Sequence, residues 1–345
     1  MINHRGPEFA AMLERILGGM KPYFGTTGDV AMISAAGSGG LEAAVVNTLS
    51  PGDQVLGVSI GSFGDRFAKI AGIYGAEVTK LEAEWGYAAA ADEVRERLRG
   101  MPGVKAILLT HNETSTGVMN PIAELAAAAR AEAPDALILV DSVSGLGAVP
   151  FEMDAWGVDL VVTGSQKAWM AAPGLSMIAA SPRAWAAMEH ARMPRFYLDL
   201  RAHREAAVGG ETPFTPAIAV VFQVDEGLRL MHEEGAESIF ARHEACAAAS
   251  RAGLAALGFE LFADERHYSR TVTAANVPDG LDWKTFNGKL KARGAKVIGI
   301  NPIRTGYNAD TLTYGPKQPP ERLGFVGFEE FGAYLHMEFR KAVSS

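Results

Sequence analysis

Over its first two thirds the chain alternates short apolar runs with longer helical stretches. The runs Val30–Ser34 (VAMIS), Gln54–Ser59 (QVLGVS), Glu77–Leu81 (EVTKL), Lys105–Thr110 (KAILLT), Ala136–Asp141 (ALILVD), Leu160–Thr163 (LVVT) and Ser176–Ala180 (SMIAA) predict strands. Leu41–Leu49, Phe63–Tyr74, Ala89–Leu98 and Ile122–Glu132 predict helices between them, ended by Ser50-Pro51-Gly52-Asp53, Gly75, Gly100 and Pro134. Strands that are apolar throughout and separated by helices predict an α/β domain whose mostly parallel sheet is covered on both faces. Ligands of such sheets bind outside the carboxyl ends of the strands.

The pattern changes after Thr215-Pro216. Two long helices (Ala217–Glu234 and Ser238–Leu257) lead to short strands Phe259–Phe262 and Thr271–Asn276, a turn at Pro278-Asp279-Gly280, a helix over Trp283–Arg293, and strands Lys296–Gly299 and Leu323–Val326. This region predicts a smaller α+β domain, with residues 1–235 forming the large domain and 236–345 the small one. The segment Asn301–Pro320, with four prolines, reads as a long loop, and loops of that length are often functional.

Composition narrows the function classes. A formal net charge of −8 recommends neither nucleic acid nor an acidic membrane as partner. The single cysteine, Cys246, cannot close an internal disulfide, which fits a reducing cytoplasm. No signal-type N-terminus and no membrane-length apolar run is visible, so the expectation is a cytoplasmic protein. Eight histidines without HExxH spacing and a lone cysteine predict no metal site.

Candidate chemistry gathers at the ends of the predicted strands. Lys167 follows Leu160–Thr163 in DLVVTGSQKAW, and its neighbours Trp169 and Met170 suggest partial burial, which lowers a lysine's pKa and makes the amine nucleophilic. Asp141 closes ALILVD, one crossover earlier, where an acid alone is as often a turn cap. The glycine-rich Ala36-Gly37-Ser38-Gly39-Gly40, placed ahead of a helix starting at Leu41, offers backbone N–H groups to an anion. It matches neither GxGxxG nor a nucleoside-triphosphate loop. Phe63 in GSFGDRF offers a flat ring, Thr114 in HNETSTG a hydroxyl, and His111 packs beside them. A lysine for an aldehyde, a carboxylate for a pyridinium nitrogen, a small-residue helix start for a phosphate and a ring for stacking are the demands of pyridoxal phosphate.

With those residues placed, the chain resembles the class V aminotransferases, and among them the alanine–glyoxylate, serine–glyoxylate and serine–pyruvate group. The likeness runs from His4-Arg5-Gly6-Pro7-Glu8-Phe9 to the C-terminal helix. It is densest where VDSVSGLGAVPF, DLVVTGSQKA and AAPG follow one another between Asp141 and Gly174. Members of the group usually carry a PGPT-like loop ahead of the HRGPEF segment; this sequence starts after its place.

The resemblance implies the fold type I architecture and a homodimer with shared active sites. It implies Lys167 as the Schiff-base lysine of pyridoxal 5'-phosphate, Gln166 as a phosphate contact, Asp141 as the pyridinium partner and Phe63 as the stacking ring. Thr114 is then the hydroxyl near the ring and Gly37 and Ser38 the phosphate turn. Thr212 and Thr215, in ETPFTP, reach the neighbouring subunit's phosphate, and Arg322 clamps the substrate carboxylate, with Arg304 and Arg195 as its rivals. The implied activity moves an amino group from a small amino acid (serine or alanine) to a small 2-oxo acid (glyoxylate or pyruvate). Cysteine desulfuration is disfavoured because Cys246 falls in a helix. A lyase or aldolase reaction on a β-hydroxy amino acid, and a homologue impaired in turnover, are the alternatives.

Overall fold

The computed structural model describes residues 2–282, Thr285, Phe286, Lys289 and the strand 323–326. The chain opens on helix α1 (Pro7–Phe24), which the strand pattern did not announce. Its proline stands at the first turn, where a missing N–H costs nothing, and Phe9, Met12, Leu13, Ile16 and Met20 form its buried stripe. The helix ends at Gly25, whose φ of 61° is left-handed, and a Cβ there would meet Phe151 O at 2.3 Å.

Strands and helices then alternate as β1 (Asp29–Ile33), α2 (Gly37–Thr48), β2 (Gln54–Ser59), α3 (Ser62–Ile73), β3 (Glu77–Glu82), α4 (Ala91–Arg99) and β4 (Ala106–Thr110). A small ribbon of β5 (Asn112–Glu113) and β6 (Val118–Met119) interrupts the alternation before α5 (Ile122–Glu132) and β7 (Leu137–Asp141). The strands β8 (Leu160–Gly164) and β9 (Ser176–Ala180) complete a seven-stranded sheet in the order β1-β9-β8-β7-β4-β2-β3. The steps from β8 through β7, β4 and β2 to β3 are parallel, and β9 alone runs against the rest.

Alternate residues of each strand feed two separate cores. Leu56, Ile107, Ile138 and Val161 face the side covered by α1, α4 and α5, whereas Val55, Leu108, Leu139 and Val162 face α2 and α3. Six of the seven strands are buried almost throughout, as expected of a sheet sandwiched between helices.

The chain continues through α6 (Pro182–Met188), α7 (Leu200–Val208), α8 (Ile218–Glu234) and α9 (Ala236–Ala256) to the antiparallel pair β10 (Thr273–Asn276) and β11 (Leu323–Val326). Of the expected strand Phe259–Phe262, only a single bridge, Leu261 to Ala275, forms. The expected helix Trp283–Arg293 lies largely outside the described residues, and the strand Lys296–Gly299, the loop Asn301–Pro320, Arg304 and Arg322 lie wholly outside them. No helix among the described residues is long and apolar enough to cross a membrane.

Candidate active site

Two adjacent parallel strands bring the central pair together. Asp141 is the last residue of β7, opposite Thr110 of β4 and Val162 of β8, and Lys167 lies three residues beyond the end of β8. The Lys167 turn is anchored by the next side chain but one. Trp169 is fully buried, donates its Nε1–H to Thr163 Oγ1 at 3.1 Å, and packs against Tyr23 and Phe24 of α1. Lys167 is half-buried, as its apolar neighbours suggested, whereas Met170 is 41% exposed and takes a left-handed φ of 56°. The turn needs that reversal to bring Ala171 N back to Ser165 O at 3.1 Å. Ser165 then ties the loop shut by donating to Ala172 O and accepting from Leu175 N.

Asp141 is buried, and Val143 N–H donates to its Oδ1 at 2.9 Å. Burial pushes its carboxyl up to about 6, while that hydrogen bond and the charges of Arg66 and Lys167 pull the other way. A desolvated carboxylate with so little compensation suits a cation delivered by a ligand.

The glycine-rich segment is not a loop ahead of the helix, as its composition suggested; α2 begins at Gly37, and the glycines are its first turn. Close packing explains this. A Cβ on Gly40 would lie 2.0 Å from Ser176 Oγ and 2.6 Å from Val162 Cγ1, so the helix can sit on β8 and β9 only without it. Gly37 is tight too, though less so: a Cβ there would lie 2.8 Å from Val143 Cγ2, which joins the helix start to the loop that holds Asp141. The N–H groups of Gly37 and Ser38 find no acceptor among the described residues, as expected at an uncapped helix start.

Gln166 borders the same space. Its Oε1 is buried with no hydrogen-bond partner among the described residues. A Cβ on Gly164 would stand 3.1 Å from that oxygen and 3.6 Å from Gly37 N, so glycine at 164 keeps the gap open. Unspent helix-start donors and an under-compensated carboxylate on one sheet edge fit a phosphorylated, cationic ring cofactor, and the Gln166 amide, whose NH2 can donate, borders the same space.

Phe63 lies on the first turn of α3, half-buried, with the guanidinium carbon of Arg66 4.6 Å from its ring centroid. Its backbone is held by a residue that sequence reasoning missed. Glu113 is fully buried, accepts from Phe63 N and Gly64 N through Oε2 at 3.0 and 3.1 Å, and accepts from Ser115 N and Oγ through Oε1. It therefore caps α3 from another element. Burial pushes it up to about 7, and those hydrogen bonds act against the shift.

The remaining expectations divide. Thr114 is buried and donates to Ser144 Oγ at 2.9 Å. His111 pairs Nδ1 with Ser142 Oγ at 2.8 Å and sets its ring against Phe151; burial lowers it to about 4. Thr212 is buried and gives its hydroxyl to Phe214 O at 2.8 Å, whereas Thr215 is exposed. Arg195 is not a substrate clamp: its guanidinium donates to Val46, Ala191, Met193 and Met188 carbonyl oxygens, tying α2 to the chain after α6. No group of metal-binding side chains forms among the described residues.

A mostly parallel sheet covered by helices, with lysine, carboxylate and helix start at one edge, defines a pyridoxal-phosphate transferase of fold type I. The family model "Aminotransferase class-V" matches residues 4–299. The chain belongs to the class-V aminotransferase family.

Among its relatives, the L-aspartate–glyoxylate aminotransferase of Paracoccus denitrificans is 40% identical, over 81% of this chain and 72% of that protein. The soluble hydrogenase 42 kDa subunit of Anabaena cylindrica is 38% identical, over 85% and 76%. The crystal structure of alanine–glyoxylate aminotransferase from Nostoc sp. superposes with a TM-score of 0.85 at 27% identity, covering 99% of this chain and 89% of that one.

Proposed function

We propose that the protein is a transaminase that moves an amino group from a small L-amino acid, serine or alanine, to glyoxylate or pyruvate, with Lys167 at the reacting centre. The observation that carries this reading is the placement of Lys167 and buried Asp141 at the ends of adjacent parallel strands beside the start of α2. Glyoxylate is the acceptor named for both the Paracoccus relative and the Nostoc structure.

Pyridoxal phosphate supplies an aldehyde for the amine and an electron-poor ring that drains charge from the substrate's α-carbon. The chain's own residues do the rest. Lys167 would hold the cofactor through its amine and, steadied by the Trp169 anchor, would move a proton to and from the substrate's α-carbon. Asp141 keeps a ring nitrogen protonated, and the ligand's positive charge relieves the cost of burying its carboxylate. Phe63, fixed by the Glu113 cap, covers one ring face. Gly37, Ser38 and Gln166 receive the phosphate, and Thr114 stands beside the ring. Arg322 pairs with the substrate carboxylate, since a guanidinium matches its two oxygens.

The active form is a homodimer in the cytoplasm. Thr215 reaches the other subunit's phosphate with Thr212 shaping its loop, and exposed Phe196 and Tyr197 beside Phe214 support a covered face there. A large domain over 1–235 and a small one over 236–345 meet at Gly235, the glycine between α8 and α9.

The test is a panel of amino acids mixed with the loaded protein in the absence of oxo acid, followed by glyoxylate, pyruvate or 2-oxoglutarate. Serine or alanine should convert the cofactor to its amine form, one equivalent per site, and glyoxylate or pyruvate should restore it. Consumption of the amino acid without that conversion would replace transamination by a lyase or aldolase reaction.

A further inference from the structure

Arg66 is a cation without an ion-pair partner among the described residues, and it is placed beside two groups of the site. Its Nη1 donates to Ser38 Oγ at 3.1 Å, at the second residue of α2, and its guanidinium carbon lies 4.6 Å from the centroid of the Phe63 ring. Three other arginines show the usual commitments: Arg130 to Asp159, Arg195 to four backbone carbonyls, Arg229 to Glu226 and Glu233. Asp141 feels the charge of Arg66 without forming an ion pair with it, and two other carboxylates of this region are spoken for. Asp65 accepts from Ser59 Oγ and pairs with Lys80, and Glu113 is spent on the start of α3.

A hydroxyl has one proton and two lone pairs. When a guanidinium N–H occupies a lone pair of Ser38 Oγ, the hydroxyl proton must turn away from that donor. The space left to it lies at the α2 start, where the N–H groups of Gly37 and Ser38 are also unspent. We propose that Arg66 is a positioning residue for the cofactor's phosphate: its hydrogen bond orients the Ser38 hydroxyl so that the proton is presented to an anion at the start of α2. The positive charge behind the hydroxyl strengthens that donor, as charge-assisted bonds in a low-dielectric setting do. Arg66 thus acts through Ser38, and stacking on Phe63 holds the guanidinium plane in place. The inference rests on the reading of the site as a pyridoxal-phosphate site and adds how its phosphate end is set.

Pyridoxal 5'-phosphate and pyridoxal, which lacks the phosphate, separate this role from a structural one. Their dissociation constants are measured by absorbance titration of cofactor-free wild type, Arg66→Met, Ser38→Ala and the double variant. Arg66→Met and Ser38→Ala should each weaken pyridoxal phosphate about ten-fold or more, the cost of one lost hydrogen bond to a charged group. The double variant should be no weaker than Ser38→Ala, because the two residues form one path. Pyridoxal affinity should stay within about two-fold of wild type. Unchanged phosphate-ester affinity in Arg66→Met overturns the proposal, as does an equal loss for both aldehydes, which would place the effect on Phe63 or the fold. Additive losses in the double variant overturn it too. A wild-type protein that takes up neither aldehyde would instead refute the reading of the site, and this inference with it.

Discussion

Replacing Asp141 by asparagine should stabilise the cofactor-free protein while disabling the enzyme. Asparagine keeps the shape of the side chain and the oxygen that accepts Val143 N–H at 2.9 Å; it removes only the charge. That charge is held in a buried site that raises the carboxyl from its ordinary 3.8 to about 6 despite Arg66 and Lys167. The displacement corresponds to roughly 3 kcal/mol, at about 1.4 kcal/mol per pKa unit. Because the folded value lies above the unfolded one, the folded protein holds this proton more tightly. The penalty is therefore absent below 3.8 and fully present above about 6. Asp141→Asn should accordingly raise the unfolding free energy of the cofactor-free protein by about 3 kcal/mol at pH 8, and by much less near pH 4. Urea denaturation at fixed protein concentration at the two pH values measures this. The same variant should gain less stability from pyridoxal phosphate than wild type does, and should exchange the α-proton of serine or alanine far more slowly. A variant no more stable than wild type at pH 8, or one whose advantage persists at pH 4, would refute the claim that Asp141 is an under-compensated buried carboxylate.

Glu113→Leu removes the acceptor for Phe63, Gly64 and Ser115 N–H groups in a buried setting, and should lower stability by about 3–5 kcal/mol in the same denaturation assay; a loss below about 1 kcal/mol would dismiss the cap. Gly40→Ala forces a methyl against Ser176 Oγ, itself bonded to Thr163 O at 2.8 Å, and against Val162, so a loss of about 1–3 kcal/mol is expected from thermal melting. Wild-type melting of that variant would mean that α2 can move off the sheet.

What the sequence made legible was local. Gln54–Ser59 and Ser176–Ala180 have the strand limits expected of them, because an apolar run between turn residues is a complete local signal. Asp141 and Lys167 were visible for the same reason, each closing or following such a run. Composition misled at Gly37, where glycines read as a loop; close packing of α2 on Ser176 and Val162 needs them inside the helix, and that contact joins residues more than a hundred positions apart. Glu113 and Arg66 carried no periodic signal, since a carboxylate capping a helix 50 residues earlier, or a guanidinium 28 residues from its hydroxyl, is set by topology. Helix α1 carries an amphipathic stripe of Phe9, Met12, Leu13, Ile16 and Met20, which is itself a local signal.

Pyridoxal phosphate bound to the protein, reduced with borohydride and followed by proteolysis and mass analysis, should leave a pyridoxyl group on Lys167, in the peptide spanning Gly164 to Gly174. Lys167→Ala protein should yield no labelled peptide under the same conditions. A label on any other lysine, or undiminished labelling of the variant, would contradict the account.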